Sequence, residues 1–222
     1  MPGTEASFLP ARVDLRETAC FPLPVPPNQG DDVSCVTQAL AAAVYCAQID
    51  GTEASKSGLP LHPNVKEVHS AALLESWDKT KGISFGSAVN AMQKTQPNLR
   101  FQTVSNDIFS IKTLLARHRV PLVVGYQVNQ LIYNFHTDAE IRRRHGTLLP
   151  PYEEDFSDHA GHAVLIVGYD DSVGCFIARN SWGTGWGEKG HFLIRYRDMA
   201  DVNFFTDLVV CTTVVAPADV GH

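Results

Sequence analysis

An α+β fold is what this sequence predicts, with helices gathered in the first half of the chain and strands in the second. Three observations carry the reading. Residues 35–48 (CVTQALAAAVYCAQ) are rich in strong helix formers and contain neither Gly nor Pro. After Pro121 come five short β-branched segments, punctuated by Gly or Asp turns. The 222 residues are 44% hydrophobic and 19% charged, ordinary for a chain that buries a core, and one to two domains fit that length.

Residues 1–30 read as irregular. Pro22, Pro24, Pro26 and Pro27 fix φ and remove donors, so FPLPVPPNQG must be a loop. Asp31, Asp32 and Ser34 are capping candidates for the helix over 35–48, which is apolar nearly all round and should therefore be buried. Helical patterns follow over 65–77, over 84–95 behind a cap at Gly82-Ile83-Ser84, and over 108–117. The strands are LVVGYQV, HAVLIVGY, CFIARN, GHFLIRY and DLVVCTTVV. Residues 129–161 form a long polar connection without a clear assignment. The boundary between a mainly helical half, 1–118, and a mainly β half, 119–222, falls near residue 118.

Charge narrows the partners. Lys+Arg 18 against Asp+Glu 24 gives a net charge of −6, so a basic face for nucleic acid or a membrane surface is not expected. The one dense basic cluster, Arg142-Arg143-Arg144-His145, reads as a solvated turn or helix end. The longest apolar stretches, Ala39–Ala47 and Ala163–Gly168, fall short of the roughly 20 residues of a membrane span. MPGTEASFLP has no basic n-region and no apolar h-region, so no signal peptide is expected and localisation stays open. Cys20, Cys35, Cys46, Cys175 and Cys211 are odd in number and include no C-x-x-C, which leaves any pairing undetermined.

One cysteine stands where chemistry would want it. Cys35 opens the buried helix just after a Gly-containing loop, where unpaired N–H groups and the helix dipole should lower a thiol pKa. Cys46, inside the same helix, and Cys20, Cys175 and Cys211 read as packing or disulfide cysteines. A nucleophilic Cys needs a base, and the base needs an orienter. His162 begins an apolar strand, and Asn180 ends another, just before Ser181-Trp182-Gly183. An amide there can accept from the imidazole and hold its tautomer. Asp158-His159-Ala160-Gly161-His162 also contains H-x-x-H, but two rings on one strand at that spacing point apart and no third ligand is near, so no metal is expected. Trp186 with Gly183, Gly185 and Gly187 reads as a tight turn that packs the indole, not as a phosphate loop, since Glu188-Lys189 replaces the required Lys-Ser/Thr.

The run from Asn28 to Cys35, HAVLIVGYDD and RNSWGTGWGEKGHFLIRY together resemble the papain-like cysteine peptidases of the C1 type, and LPARVDLR resembles the start of their mature domain. The resemblance spans about residues 9–215. It implies a helical subdomain carrying Cys35 on a long central helix, a β-barrel-like subdomain carrying His162 and Asn180, and a cleft between them. Residue by residue it implies that Cys35 is the nucleophile, His162 the general base and acid, and Asn180 the imidazole orienter. It further implies that Gln29 and the Cys35 N–H form the oxyanion hole, that Trp182 shields the Asn–His contact, and that Ala160, Gly161 and Ala163 border the substrate pocket. Cys35 to Asn180 falls within the family spacing of about 130–150 residues, and Cys35 to His162 falls just short of it.

Departures from the pattern point to the divergent, bacterial-type branch. Asp32-Val33-Ser34-Cys35-Val36 keeps only the Ser-Cys of the family's C-G-S-C-W, and residues 51–66 hold no good match to its Gly-Gly substrate loop. The resemblance implies hydrolysis of a peptide or protein substrate through an acyl-enzyme, with no cofactor. A catalytically silent peptide- or protein-binding module, and acyl transfer at the same site (ligation or deamidation), are the alternatives.

Overall fold

The computed structural model describes residues 8–18, 23–50, 63–75, 82–128, 132, 134, 139–150, 160–201 and 205–213. Cys20, His62, Asp158 and His159 lie outside them. Helix α1 (Cys35–Asp50) runs the length the composition demands, with Leu40, Ala41 and Val44 fully buried. It packs on the sheet and on helices α2 (Val65–Glu75) and α3 (Phe85–Thr95), which also contact one another. Small side chains at Ala41, Ala42 and Ala43 keep this helix apolar on every side, as its central position requires. Helix α3 starts where expected, because the Ser84 hydroxyl accepts from Ser87 N–H at 3.1 Å. Helix α2 reaches Glu75, and the last two residues of its expected span lie outside the described residues.

Seven strands form one antiparallel sheet. In chain order they are β1 (Arg12–Asp14), β2 (Leu99–Thr103), β3 (Leu122–Val128), β4 (Ala160–Asp170), β5 (Cys175–Arg179), β6 (His191–Arg195) and β7 (Phe205–Thr213). The spatial order is β2-β7-β3-β4-β5-β6, and β1 pairs with the far end of β4. Strand β4 is central, and His162–Tyr169 are all buried, hence the unbroken apolar run from Ala163 onward.

The barrel-like sheet is open, with β2 and β6 as its two ends. The free edge of β6 is taken by the segment 147–149, through Leu193 N–H to Thr147 O at 2.8 Å and Leu149 N–H to Leu193 O at 2.7 Å. Residues 1–30 are not all irregular, because Arg12–Asp14 pairs with Gly168–Asp170. Asp14 is buried there, and burial pushes its carboxyl pKa up. The Arg16 and Arg12 guanidiniums outweigh that and hold it below the usual carboxylate range. The helix expected over 108–117 is α4 (Ile108–Thr113), followed by a π-helical turn, Leu114–His118, that ends at left-handed Arg119. Within 129–161 lies a short helix, α5 (Ala139–His145), whose Arg143 and Arg144 both pair with Glu140. Strand β2 (LRFQT), which the sequence reading did not include, alternates Leu99 and Phe101 with Arg100 and Gln102 over only five residues and pairs along its whole length with β7. Among the described residues no helix is long and apolar enough to cross a membrane.

Candidate active site

The Pro-rich loop cannot build a ladder of its own, so it borrows one. Gln29 N–H donates to Ser181 O and Gly183 N–H to Pro27 O, both at 2.8 Å, and Asn28 forms an antiparallel bridge with Trp182. The loop that leads into α1 is thereby fastened to the segment that leaves β5. Two glycines permit the close approach. At Gly183 (φ +78°) a Cβ would stand 3.2 Å from Asn28 Cβ, and at Gly190 (φ +83°) 2.7 Å from Pro26 Cβ.

This seam brings Cys35, His162 and Asn180 into one place. Cys35 begins α1 and is 8% exposed; its sulfur lies against the backbone N–H of Ala163, the neighbour of His162. His162 Nε2 and Asn180 Oδ1 are 2.7 Å apart, and both side chains are buried. Asn180 Oδ1 also accepts from Ser181 N–H at 2.8 Å, which fixes that atom as the oxygen. Nε2 must then be the donor, so in the neutral ring Nδ1 carries the lone pair. Asn180 Nδ2 makes no hydrogen bond among the described residues, so Oδ1 alone holds the amide. Trp182 covers the imidazole, with ring centroids 4.4 Å apart, and Tyr126 meets it edge-on at 5.6 Å. Trp182 stands edge-on to Trp186, which in turn is edge-on to Phe192, so the glycine-rich turn does pack Trp186 into the core.

The electrostatics differ from the expectation at Cys35. Burial pushes the thiol pKa up; the N–H groups of Ala163, Val36 and Cys35 itself pull it down, and burial wins. The helix-end donors thus act in the expected direction but are outweighed. Burial likewise pulls His162 down to about 4, against the raising effect of its bond to Asn180. Each group by itself is neutral at pH 7. A charged form requires both to ionise together, by proton transfer from sulfur to nitrogen.

Gln29 is half-buried. Its Oε1 accepts from the Ser181 hydroxyl at 2.5 Å, and its Nε2 donates to Asp32 O at 2.5 Å. An amide nitrogen has two protons, so one remains for a further acceptor. Ala160 and Gly161 are exposed at the start of β4, whereas Ala163 is buried and presents its backbone to Cys35. Cys46, Cys175 and Cys211 are buried and, like Cys35, carry free thiols. Among the described residues no group of three His, Cys, Asp or Glu is arranged to hold a metal. The reading of the sequence did not reach Tyr126, Ser181 or Arg179. Ser181 and Arg179 flank Asn180, and Tyr126 is opposite His162 in the β3–β4 register, so only strand pairing would have exposed it.

The fold is that of xylellain, a cysteine protease from Xylella fastidiosa, with a TM-score of 0.74 over 94% of this chain and 88% of that one. The chain's fold is papain-like. At 22% identity the likeness to xylellain is one of fold, as is that to procathepsin L 3 of Tenebrio molitor (TM-score 0.64, 18% identity, 96% of this chain and 73% of that one). Residues 145–210 match the family model "Papain family cysteine protease", a stretch that includes His162, Asn180 and Trp182 but not Cys35. A peptidase C1-like protein of Acanthamoeba polyphaga mimivirus is 29% identical over 116 residues, 52% of this chain and 35% of that protein. Pro-cathepsin H of Mus musculus is 54% identical over 39 residues, 17% of this chain and 12% of that protein. The matched stretches thus span about a third or less of those two relatives.

Proposed function

We propose that the chain is a cysteine peptidase that cleaves peptide bonds of a peptide or protein substrate, with Cys35 as nucleophile, His162 as base and acid, and Asn180 as orienter. The observation that carries this reading is the imidazole tautomer. Ser181 N–H fixes Asn180 Oδ1, Asn180 fixes Nε2–H, and Nδ1 is left as an acceptor, on the residue next to Ala163, whose backbone N–H meets the Cys35 sulfur.

The chemistry follows from that lone pair. His162 Nδ1 takes the Cys35 proton as Sγ bonds to the substrate carbonyl carbon, and the carbonyl oxygen gains the electron pair of its π bond. Gln29 Nε2 and the Cys35 N–H donate to that oxygen. The oxygen re-forms its double bond, the C–N bond breaks, and His162 gives its proton to the departing amine. Water then attacks the thioester, losing a proton to His162 Nδ1. The acid leaves and Cys35 recovers its proton. Burial strengthens the case for a coupled pair: a lone thiolate or a lone imidazolium here is disfavoured, and the two together offset each other's cost.

The test is labelling of the folded chain by an epoxide or vinyl-sulfone thiol probe under reducing conditions, read by intact mass and peptide mapping. Stoichiometric modification of Cys35, lost in Cys35→Ala and in His162→Ala, is the expected result. Equal labelling of Cys46, or none at all, would make a silent binding module the better account.

A further inference from the structure

We propose that Arg179 is a positioning residue for turnover: its buried guanidinium fixes the loop that presents Gln29, and so places the oxyanion donor. The inference rests on the cysteine-peptidase reading and adds to it a residue remote from the bond being broken.

Arg179 ends β5, one residue before Asn180, and is only 6% exposed. Its Nη1 donates to Pro24 O at 2.6 Å and its Nη2 to Val25 O at 3.4 Å. Among the described residues it forms no ion pair. Its electrostatic neighbours are the Cys46 thiol and the His191 imidazole, neither of them an anion at neutral pH. A buried cation spent on two main-chain carbonyls is an unusual use of an arginine. The sequence of the loop explains it. Pro24, Pro26 and Pro27 have no N–H, so this stretch cannot dock by a regular ladder, yet its carbonyls still need donors. A planar guanidinium can reach two adjacent carbonyls at once, which a lysine ammonium does less well.

From Val25 the chain runs without slack to the oxyanion donor. Pro26 abuts Gly190, Pro27 O accepts from Gly183 N–H, Asn28 bridges Trp182, and Gln29 follows. These anchors, Trp182, Gly183 and Gly190, all lie in the segment that links the strand Arg179 terminates to β6. Arg179 therefore sets the start of the loop in the same frame that holds Asn180.

The experiment is a double-mutant cycle on wild type, Arg179→Met, Arg179→Lys, Gln29→Ala and the Arg179→Met/Gln29→Ala double variant. Two readouts are needed: kcat and KM on a fluorogenic peptide, and the rate of Cys35 alkylation by iodoacetamide as a function of pH. Alkylation passes through no oxyanion, so it reports the Cys35–His162 pair alone. Removing one oxyanion donor typically costs about 10²–10³ in kcat, so displacing it should cost about tenfold to a hundredfold. Arg179→Met is expected to lose that much kcat with KM changed less than about twofold and the alkylation profile unmoved. Arg179→Lys should be intermediate, and the double variant no slower than Gln29→Ala. Losses that multiply in the double variant, alkylation that falls with kcat, or full activity in Arg179→Met would each overturn the proposal. If Arg179→Met does not fold, the cycle is run with Arg179→Lys, which keeps the charge. A wild-type chain that neither cleaves peptide nor alkylates Cys35 selectively would sink the peptidase reading itself, a different failure.

Discussion

Replacing His162 by Ala should change how Cys35 responds to pH, and the size of the change follows from burial. Without the imidazole, Cys35 is a thiol whose pKa lies above its ordinary value of 9.0, because desolvation outweighs three backbone N–H donors. At pH 7 such a thiol is about 1% thiolate or less. In the wild type, proton transfer to His162 Nδ1 supplies thiolate without that penalty, since the imidazolium stays beside it. Alkylation of Cys35 by iodoacetamide at pH 7 should therefore fall about 100-fold or more in His162→Ala. The variant's rate should then climb about tenfold per pH unit up to pH 9, while the wild-type rate stays nearly flat from about pH 6 to 9. Peptide mapping after timed alkylation measures both profiles on Cys35 itself. If the wild type shows the same steep climb as the variant, Cys35 is an ordinary buried thiol and the argument from the coupled pair is wrong.

Other perturbations test separate parts of the structure. Gln29→Ala should lower kcat by about 10²–10³ with little change in iodoacetamide alkylation, measured on one peptide substrate and one reagent. Asn180→Ala should slow turnover without abolishing it, by about tenfold to a hundredfold for the ~1.5–3 kcal/mol of one hydrogen bond to a charging ring; full activity would remove Asn180 from the mechanism. Leu40→Ala, at a fully buried position of α1, should destabilise the fold by ~2–5 kcal/mol in urea titration. The fourth concerns acid. Burial, helped by the Arg16 and Arg179 charges, holds His191 at about 4, below its unfolded value of about 6.5, so the unfolded chain binds the proton first as pH falls. Its contribution to stability is complete above about pH 6.5 and is lost on the way down to about 4. His191→Gln should flatten the decline of urea midpoint across that window, and an unchanged slope would show that His191 is not the group responsible.

Much of this protein was legible before any coordinate. Residues 35–48 could only be a buried helix, since no face of CVTQALAAAVYCAQ is polar enough for water. LVVGYQV matches β3 end to end, because Pro121 precedes and polar Asn129-Gln130 follows a run rich in apolar and β-branched residues. Cys35, His162 and Asn180 stood out because each begins or ends a predicted element, where a polar side chain has a reason other than packing, whereas Gln29 and Trp182 came only from the resemblance to the papain-like peptidases. The structure decided what depends on partners distant in sequence. Arg12–Asp14 is a strand only because β4 offers it an edge, and Leu99–Thr103 only because β7 does. The outer edge of β6 is paired at Leu193 by the segment 147–149, more than forty residues away in sequence. Local rules placed Cys35 at a helix N-terminus and pointed to a lowered pKa. Burial reversed the sign, since the desolvation cost depends on everything packed around the sulfur and not on the residues beside it. Arg179 shows the same division. Its sequence neighbours say nothing of Pro24 and Val25, and only folding brings their carbonyls, stranded in a loop short of N–H donors, within reach of its guanidinium.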